Sequence, residues 1–173
     1  TDYSQVLKDE ASQSRAVAKN FDLVNLIESI IEDFNLDTIN QKKNIKFNFV
    51  NQNKINKALI FGIESRIEQV IANLLDNSAS FSPTDSIITI DLYFDKNNYK
   101  ISIKDQGPGF DENNLDKVFE RFYSDRPDDQ EGSHSGLGLN IVKNIIDSHK
   151  GFIKLYNKLN GEGAVVDITL PAA

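Results

Sequence analysis

At 173 residues and 39% hydrophobic content, the chain is long enough to bury one core, and it sets the expectation of one domain with at most a short appendage. The absence of cysteine excludes a disulfide framework and thiolate metal sites. No signal-peptide pattern opens the chain and no apolar run approaches the roughly 20 residues of a membrane span, so a reducing, cytoplasmic setting is expected. A formal charge of -7 with no basic stripe argues against nucleic-acid binding, while leaving open a ligand whose phosphates are met by backbone N–H groups and a divalent cation.

Residues 1–20 carry sparse apolar positions (Tyr3, Val6, Leu7, Val17), a weak helical pattern that needs a partner. They read as the end of a preceding helix and a linker, with the domain proper over residues 21–173. The start at Thr1 and the lack of any Met add the expectation of a piece cut from a longer protein. Asp22 is placed to cap a helix whose apolar positions Leu23, Leu26, Ile27, Ile30, Ile31 and Phe34 recur in steps of three and four. Ile45 to Val50 alternates as a half-buried strand, and Ala58 to Phe61 is a second short strand ending at Gly62. From Ser65 to Phe81, Ile67, Val70, Ile71, Leu74 and Leu75 again follow helical spacing, while Gln69, Asn73 and Asn77 stack on a neighbouring stripe. Ile87–Phe94 and Tyr99–Ile103 form a predicted hairpin around Asp95-Lys96-Asn97-Asn98, which leads straight into Asp105. The polar stretch from about Ser124 to Ser135 is a lid candidate. Leu137, Ile141, Val142, Ile145 and Ile146 mark a further helix with His149-Lys150-Gly151 as its stop signal, and Phe152–Tyr156 and Ala164–Leu170 close the chain as strands. The expected fold class is α+β, a two-layer α/β sandwich with a mixed, mostly antiparallel sheet packed on about three helices.

Three groups of residues carry chemistry. Asp105-Gln106-Gly107-Pro108-Gly109 puts a carboxylate at a strand end and two glycines in the following turn, suited to accept an adenine amino group beside a flat ligand; taken alone, it is equally an ordinary turn. Gly132-Ser133-His134-Ser135-Gly136-Leu137-Gly138-Leu139 sits just before an amphipathic helix, where N–H groups and the helix dipole make an anion site; the other reading is a flexible glycine linker. It is neither a phosphate-binding lysine loop nor a dinucleotide fingerprint, since no Gly-Lys-Ser/Thr occurs and no parallel strand is expected before it. Asn73 and Asn77 lie one helical turn apart, and an amide oxygen is a hard ligand that suits Mg²⁺, although polar residues on a helix are also simply a solvated face.

Together these motifs resemble the sensor histidine kinases, within the superfamily that shares the Bergerat fold. Asn73-Leu74-Leu75-Asp76-Asn77 is similar to the asparagine box, Asp105 to Gly109 to the first glycine box, Val118-Phe119-Glu120-Arg121-Phe122-Tyr123 to the phenylalanine box, and Ser135 to Leu139 to the second glycine box. The resemblance covers about residues 20–171, and Arg121 to Pro127 is similar to the lid of the alphaproteobacterial envelope-sensing type.

The resemblance implies an ATP-binding domain that transfers the γ-phosphoryl group to a histidine on a dimerisation domain. Asp105 would bind the adenine amino group, with Gly107, Gly109, Phe110 and Phe81 shaping the pocket. Asn77 would coordinate Mg²⁺. Arg121 and the Ser135, Gly136, Leu137, Gly138, Leu139 segment would face the phosphates. Asn73 takes the catalytic position where ATP-hydrolysing relatives carry a glutamate; an amide is no general base, which favours transfer over hydrolysis. Ser80 departs from the basic residue common three positions after the Mg²⁺ asparagine. Across Asp105 to Glu131 nine acids face three bases, so metal and dipoles must meet the phosphate charge, with Arg121 and Arg126 as helpers or else solvated surface charges.

Neither His134 nor His149 has the flanking residues of the family's acceptor histidine, so the acceptor is expected outside this chain. The implied partners are the dimerisation and phosphoacceptor domain of the same protein, a response regulator, and no nucleic acid. The fragment is expected to be monomeric and the full-length protein a homodimer in the inner membrane. Two alternatives stand beside this reading: a degenerate nucleotide-binding regulatory module, suggested by Ser80 and the acidic lid, and an ATPase of the same fold, opposed by Asn73.

Overall fold

In chain order the elements are β1 (Lys19–Asp22), α1 (Leu23–Leu36), α2 (Thr38–Lys42), β2 (Lys46–Asn51), β3 (Leu59–Gly62), α3 (Glu64–Phe81), β4 (Ile87–Asp95), β5 (Asn98–Lys104), α4 (Gly138–Ser148), β6 (Phe152–Asn157) and β7 (Ala164–Pro171). The computed structural model describes residues 17–111, 113, 138–158 and 162–173. Five strands form one sheet in the order β2-β4-β5-β7-β6, and β1 with β3 forms a separate antiparallel ribbon. Every neighbouring pair in the large sheet is antiparallel except β2 with β4, which is parallel. This is the mixed, mostly antiparallel sheet expected from the sequence.

Among the described residues, three long helices bury the positions that their periodicity singles out: Leu26, Ile27, Ile30 and Ile31 in α1, Ile67, Val70, Ile71, Leu74 and Leu75 in α3, and Ile141, Val142, Ile145 and Ile146 in α4. They join Ile88, Ile90, Leu92, Ile101, Ile103, Val166, Ile168 and Leu170 of the sheet in one hydrophobic cluster. The alternate strand positions are polar and pair with one another, as Lys104 does with Asp91 at 2.9 Å. Asp22 caps α1 as expected, its Oδ1 accepting from Val24 N at 3.0 Å, and the same oxygen reaches across to Ala58 N at 2.9 Å. The β4–β5 turn also forms as expected, with Lys96 and Asn97 at φ 52° and 64°.

Three local features differ from the sequence expectation. Residues 19 and 20, read as linker, begin β1, because Asn20 and Phe21 pair with Phe61 and Ile60. The short helix α2 is additional: the Asp37 side chain accepts from Asn40 N and starts it immediately after α1. At the end of α4 the left-handed residue is Lys150 (φ 59°), not Gly151; a Cβ on Gly151 would meet Thr169 O at 2.4 Å, so glycine there serves packing against β7.

Candidate functional site

The turn after β5 is built around Asp105, whose residue is 2% exposed. Its Oδ1 accepts from Gly107 N at 3.0 Å and Ala164 N at 2.9 Å, and its own N–H donates to Ala164 O at 3.0 Å. Two backbone donors on one carboxylate oxygen set the side chain's direction, so its orientation comes from the backbone of two separate segments.

The glycines of this turn answer to close approach. A Cβ on Gly107 would lie 2.7 Å from the carbonyl oxygen of Phe81, so the turn rests on the last residue of α3. Gly109 has φ 81°, the left-handed region that glycine tolerates, and a Cβ there would meet Asn157 Oδ1 at 2.6 Å. Asn157 holds the next residue in both directions: Phe110 N donates to its Oδ1 and its Nδ2 donates to Phe110 O, each at 2.8 Å. Gly163 is the tightest of the set, with φ 128° and a Cβ position 2.2 Å from Asp105 O. Asn157 and the role of Gly163 against Asp105 were missed by sequence reasoning. The signal that could have found them is the β6–β7 register, which pairs Asn157 with Ala164 and returns the chain beside Asp105.

Asp105, Gly107, Gly109, buried Phe110 and buried Phe81 are thus brought together where α3 ends under the β5 turn. Asn73 and Asn77 lie half-buried along α3 beside its apolar face, leading toward that end. Gly138 opens α4, and a Cβ there would meet nothing within 4 Å, whereas Leu139 packs against the hydrophobic core. Arg121, Ser135, Gly136 and Leu137 lie outside the described residues, as do the Val118–Tyr123 motif, the lid candidate and residues 1–16.

Among the described residues, no three His, Asp or Glu side chains gather as a metal cluster. The single amide oxygen of Asn77 does fit a small hard cation of the kind that keeps several waters and is shared with phosphate, since such a cation asks for only one or two protein ligands. No described helix is long and apolar enough to cross a membrane.

Comparison with known proteins bears on the family and the fold. Sensor protein ChvG of the alphaproteobacterium Rhizobium meliloti is 34% identical over 170 residues, covering 95% of this chain. This chain spans 29% of that relative's length. The catalytic domain of histidine kinase ThkA, solved in a nucleotide-free form, superposes with a TM-score of 0.76 at 27% identity, covering 90% of this chain and 95% of that one. ThkA in complex with the response regulator protein TrrA superposes with the same TM-score of 0.76 at 25% identity, covering 98% of this chain and 47% of that one. A family model for histidine kinase-, DNA gyrase B- and HSP90-like ATPases matches residues 62–173, from the end of β3 to the last residue. The chain belongs to the family of histidine kinase-, DNA gyrase B- and HSP90-like ATPases.

Proposed function

We propose that this chain is the ATP-binding catalytic domain of a two-component sensor, a protein-histidine kinase that transfers the γ-phosphoryl group of ATP to a histidine on a dimerisation domain outside these residues. The observation that carries the reading is the buried Asp105, its carboxylate oriented by Gly107 N and Ala164 N at the end of α3. A carboxylate held in this way accepts from the exocyclic amino group of adenine, a donor that guanine lacks at that position. Phe81 and Phe110 would supply apolar surface for the base, and Gly107 and Gly109 let the turn that carries Asp105 close onto Phe81 and Asn157.

Asn77 would hold Mg²⁺, which when bound would neutralise phosphate charge. The helix start at Gly138, with Ser135, Gly136, Leu137 and Leu139, would turn N–H groups toward the phosphates, and Arg121 would add positive charge. Asn73 orients and cannot abstract a proton, so water beside it is poorly activated and a protein nucleophile is favoured. Phosphoryl transfer then depends on positioning and electrostatics more than on acid–base chemistry. The residues that precede β1 would be the end of the dimerisation helix and its linker. A sensor of this build sits in the inner membrane as a homodimer and passes its phosphoryl group to a response regulator, the class of partner named in the ThkA complex.

The test combines binding and transfer. Mg-ATP at about 100 times its dissociation constant should stabilise the fold by roughly 2.7 kcal/mol, raising Tm on the order of 5–10 °C at this size. Labelled ATP with a separately made acceptor hairpin should place label on its histidine. No binding by calorimetry and no label would sink the reading, and binding without transfer would leave a regulatory module instead. Asp105→Asn keeps an oxygen for the two backbone donors, so it should fold while losing ATP affinity by at least about tenfold, a loss of roughly 1.4 kcal/mol.

A further inference from the structure

The far end of α4 holds a contact that the nucleotide reading leaves unused. His149 follows directly after α4, with Nδ1 2.8 Å from the carbonyl oxygen of Ile145 and Nε2 3.1 Å from the backbone nitrogen of Ile63. A carbonyl oxygen only accepts, so Nδ1 carries the proton. Nε2 presents its lone pair and accepts from Ile63 N–H.

Ile63 is the N-cap of α3, and its side chain makes no capping hydrogen bond. In a capping box the N-cap N–H is taken by the side chain of the third helical residue, which here is Arg66, a donor only. The imidazole of a distant helix end takes that place. It reaches Ile63 because residue 62 is glycine: a Cβ there would lie 2.4 Å from the ring's Cδ2.

We propose that His149 is a positioning residue for the nucleotide site, setting the axial register between the helix that carries Asn73 and Asn77 and the helix that begins at Gly138. The proposal rests on the ATP reading above. The clamp ties the start of α3 to the end of α4, so the two packed helices extend side by side from a shared fixed point with opposite chain directions. At about 1.5 Å per residue, the α4 helix carries the chain back from that point to Gly138 alongside the Asn73 and Asn77 turns of α3. The apolar contacts of Ile141, Val142, Ile145 and Ile146 are non-directional and tolerate small slides, whereas two hydrogen bonds on one rigid ring do not. On the ATP reading, a displacement of about 1 Å between the cation ligand and the N–H groups at the α4 start would take hydrogen bonds to the phosphates out of range.

Calorimetry on the whole chain with Mg-ATP and with adenosine tests this. Adenosine reads the Asp105 pocket alone, and the ratio of the two affinities reads the phosphate side. His149→Phe fills a similar volume without a donor or acceptor. It should weaken Mg-ATP by about tenfold, roughly 1.4 kcal/mol, with adenosine within about twofold. His149→Gln, which keeps one donor and one acceptor, should recover most of the ratio. Gly62→Ala displaces the unaltered ring and is a second route to the same change if His149→Phe fails to fold. A lowered Tm with an unchanged ATP-to-adenosine ratio in the folded variants overturns the positioning role and leaves the ATP reading standing. A wild-type chain that binds neither ligand overturns both.

Discussion

Asp105 shows how little a residue's identity says before its neighbours are known. Its carboxylate and the following glycines were legible as a strand-end turn, and the ligand reading rested on the other motifs, since Asp and Gly are ordinary turn residues. Its two N–H donors were only half legible: Gly107 is local, but Ala164 comes from β7, 59 residues away. The consequence falls on Gly163, squeezed against the Asp105 carbonyl with φ 128°. Gly163→Ala must either strain the backbone or move Asp105, and should cost about 2–3 kcal/mol in urea denaturation. A loss below about 0.5 kcal/mol, the level of an ordinary surface substitution, would show that the turn relaxes freely.

Among the elements, strands β5, β6 and β7 are stitched on their polar face by Asp167. Ser102 Oγ donates to Asp167 Oδ1, and the Tyr156 hydroxyl donates to Oδ2 at 2.9 Å. Burial, the hydrogen bond to Asp167, the charge of Asp167 and nearby Tyr93 together push the Tyr156 phenol from its ordinary 10.0 up to about 12. Folding therefore favours the protonated phenol. That stabilisation is fully present below about pH 10 and is lost as pH rises toward 12. Tyr156→Phe should cost about 1–2 kcal/mol at neutral pH and should flatten this alkaline limb in a Tm series. An alkaline limb of equal depth in both proteins would count against the assignment. The row was not legible beforehand, because alternation shows which residues face outward and leaves open which strand lies next door.

For the whole molecule, the arrangement separates a five-stranded sheet from a two-stranded ribbon whose strands pair only with each other, although Phe21 and Ile60 reach the shared core. The central strands β4, β5 and β7 are paired on both sides, whereas β1 pairs only with β3. The ribbon is fastened by Leu23 N to Ala58 O at 2.8 Å and Ala173 N to Leu59 O at 2.9 Å. Hydrogen exchange should therefore find the amides of Ile101, Ile103, Val166 and Ile168 opening only with global unfolding, and those of Asn20 and Phe61 opening first. Equal protection across both groups would show that the ribbon belongs to the same cooperative unit.

The sequence by itself determined the local facts: which faces of α1, α3 and α4 are apolar, where Asp22 caps and where the β4–β5 chain reverses; it also singled out Asp105, Asn73 and Asn77 as candidates for ligand chemistry. Periodicity, capping and turn propensity act over a few residues, so they can be read along the chain. Tertiary structure alone decided the parallel pairing of β2 with β4, the β1–β3 ribbon, the bracket of Asn157 on Phe110, the packing of Gly163 on Asp105 and the reach of His149 to Ile63. Each of these joins segments whose separation in sequence carries no periodic signal. Strand order and backbone close approach arise only when the whole core is assembled.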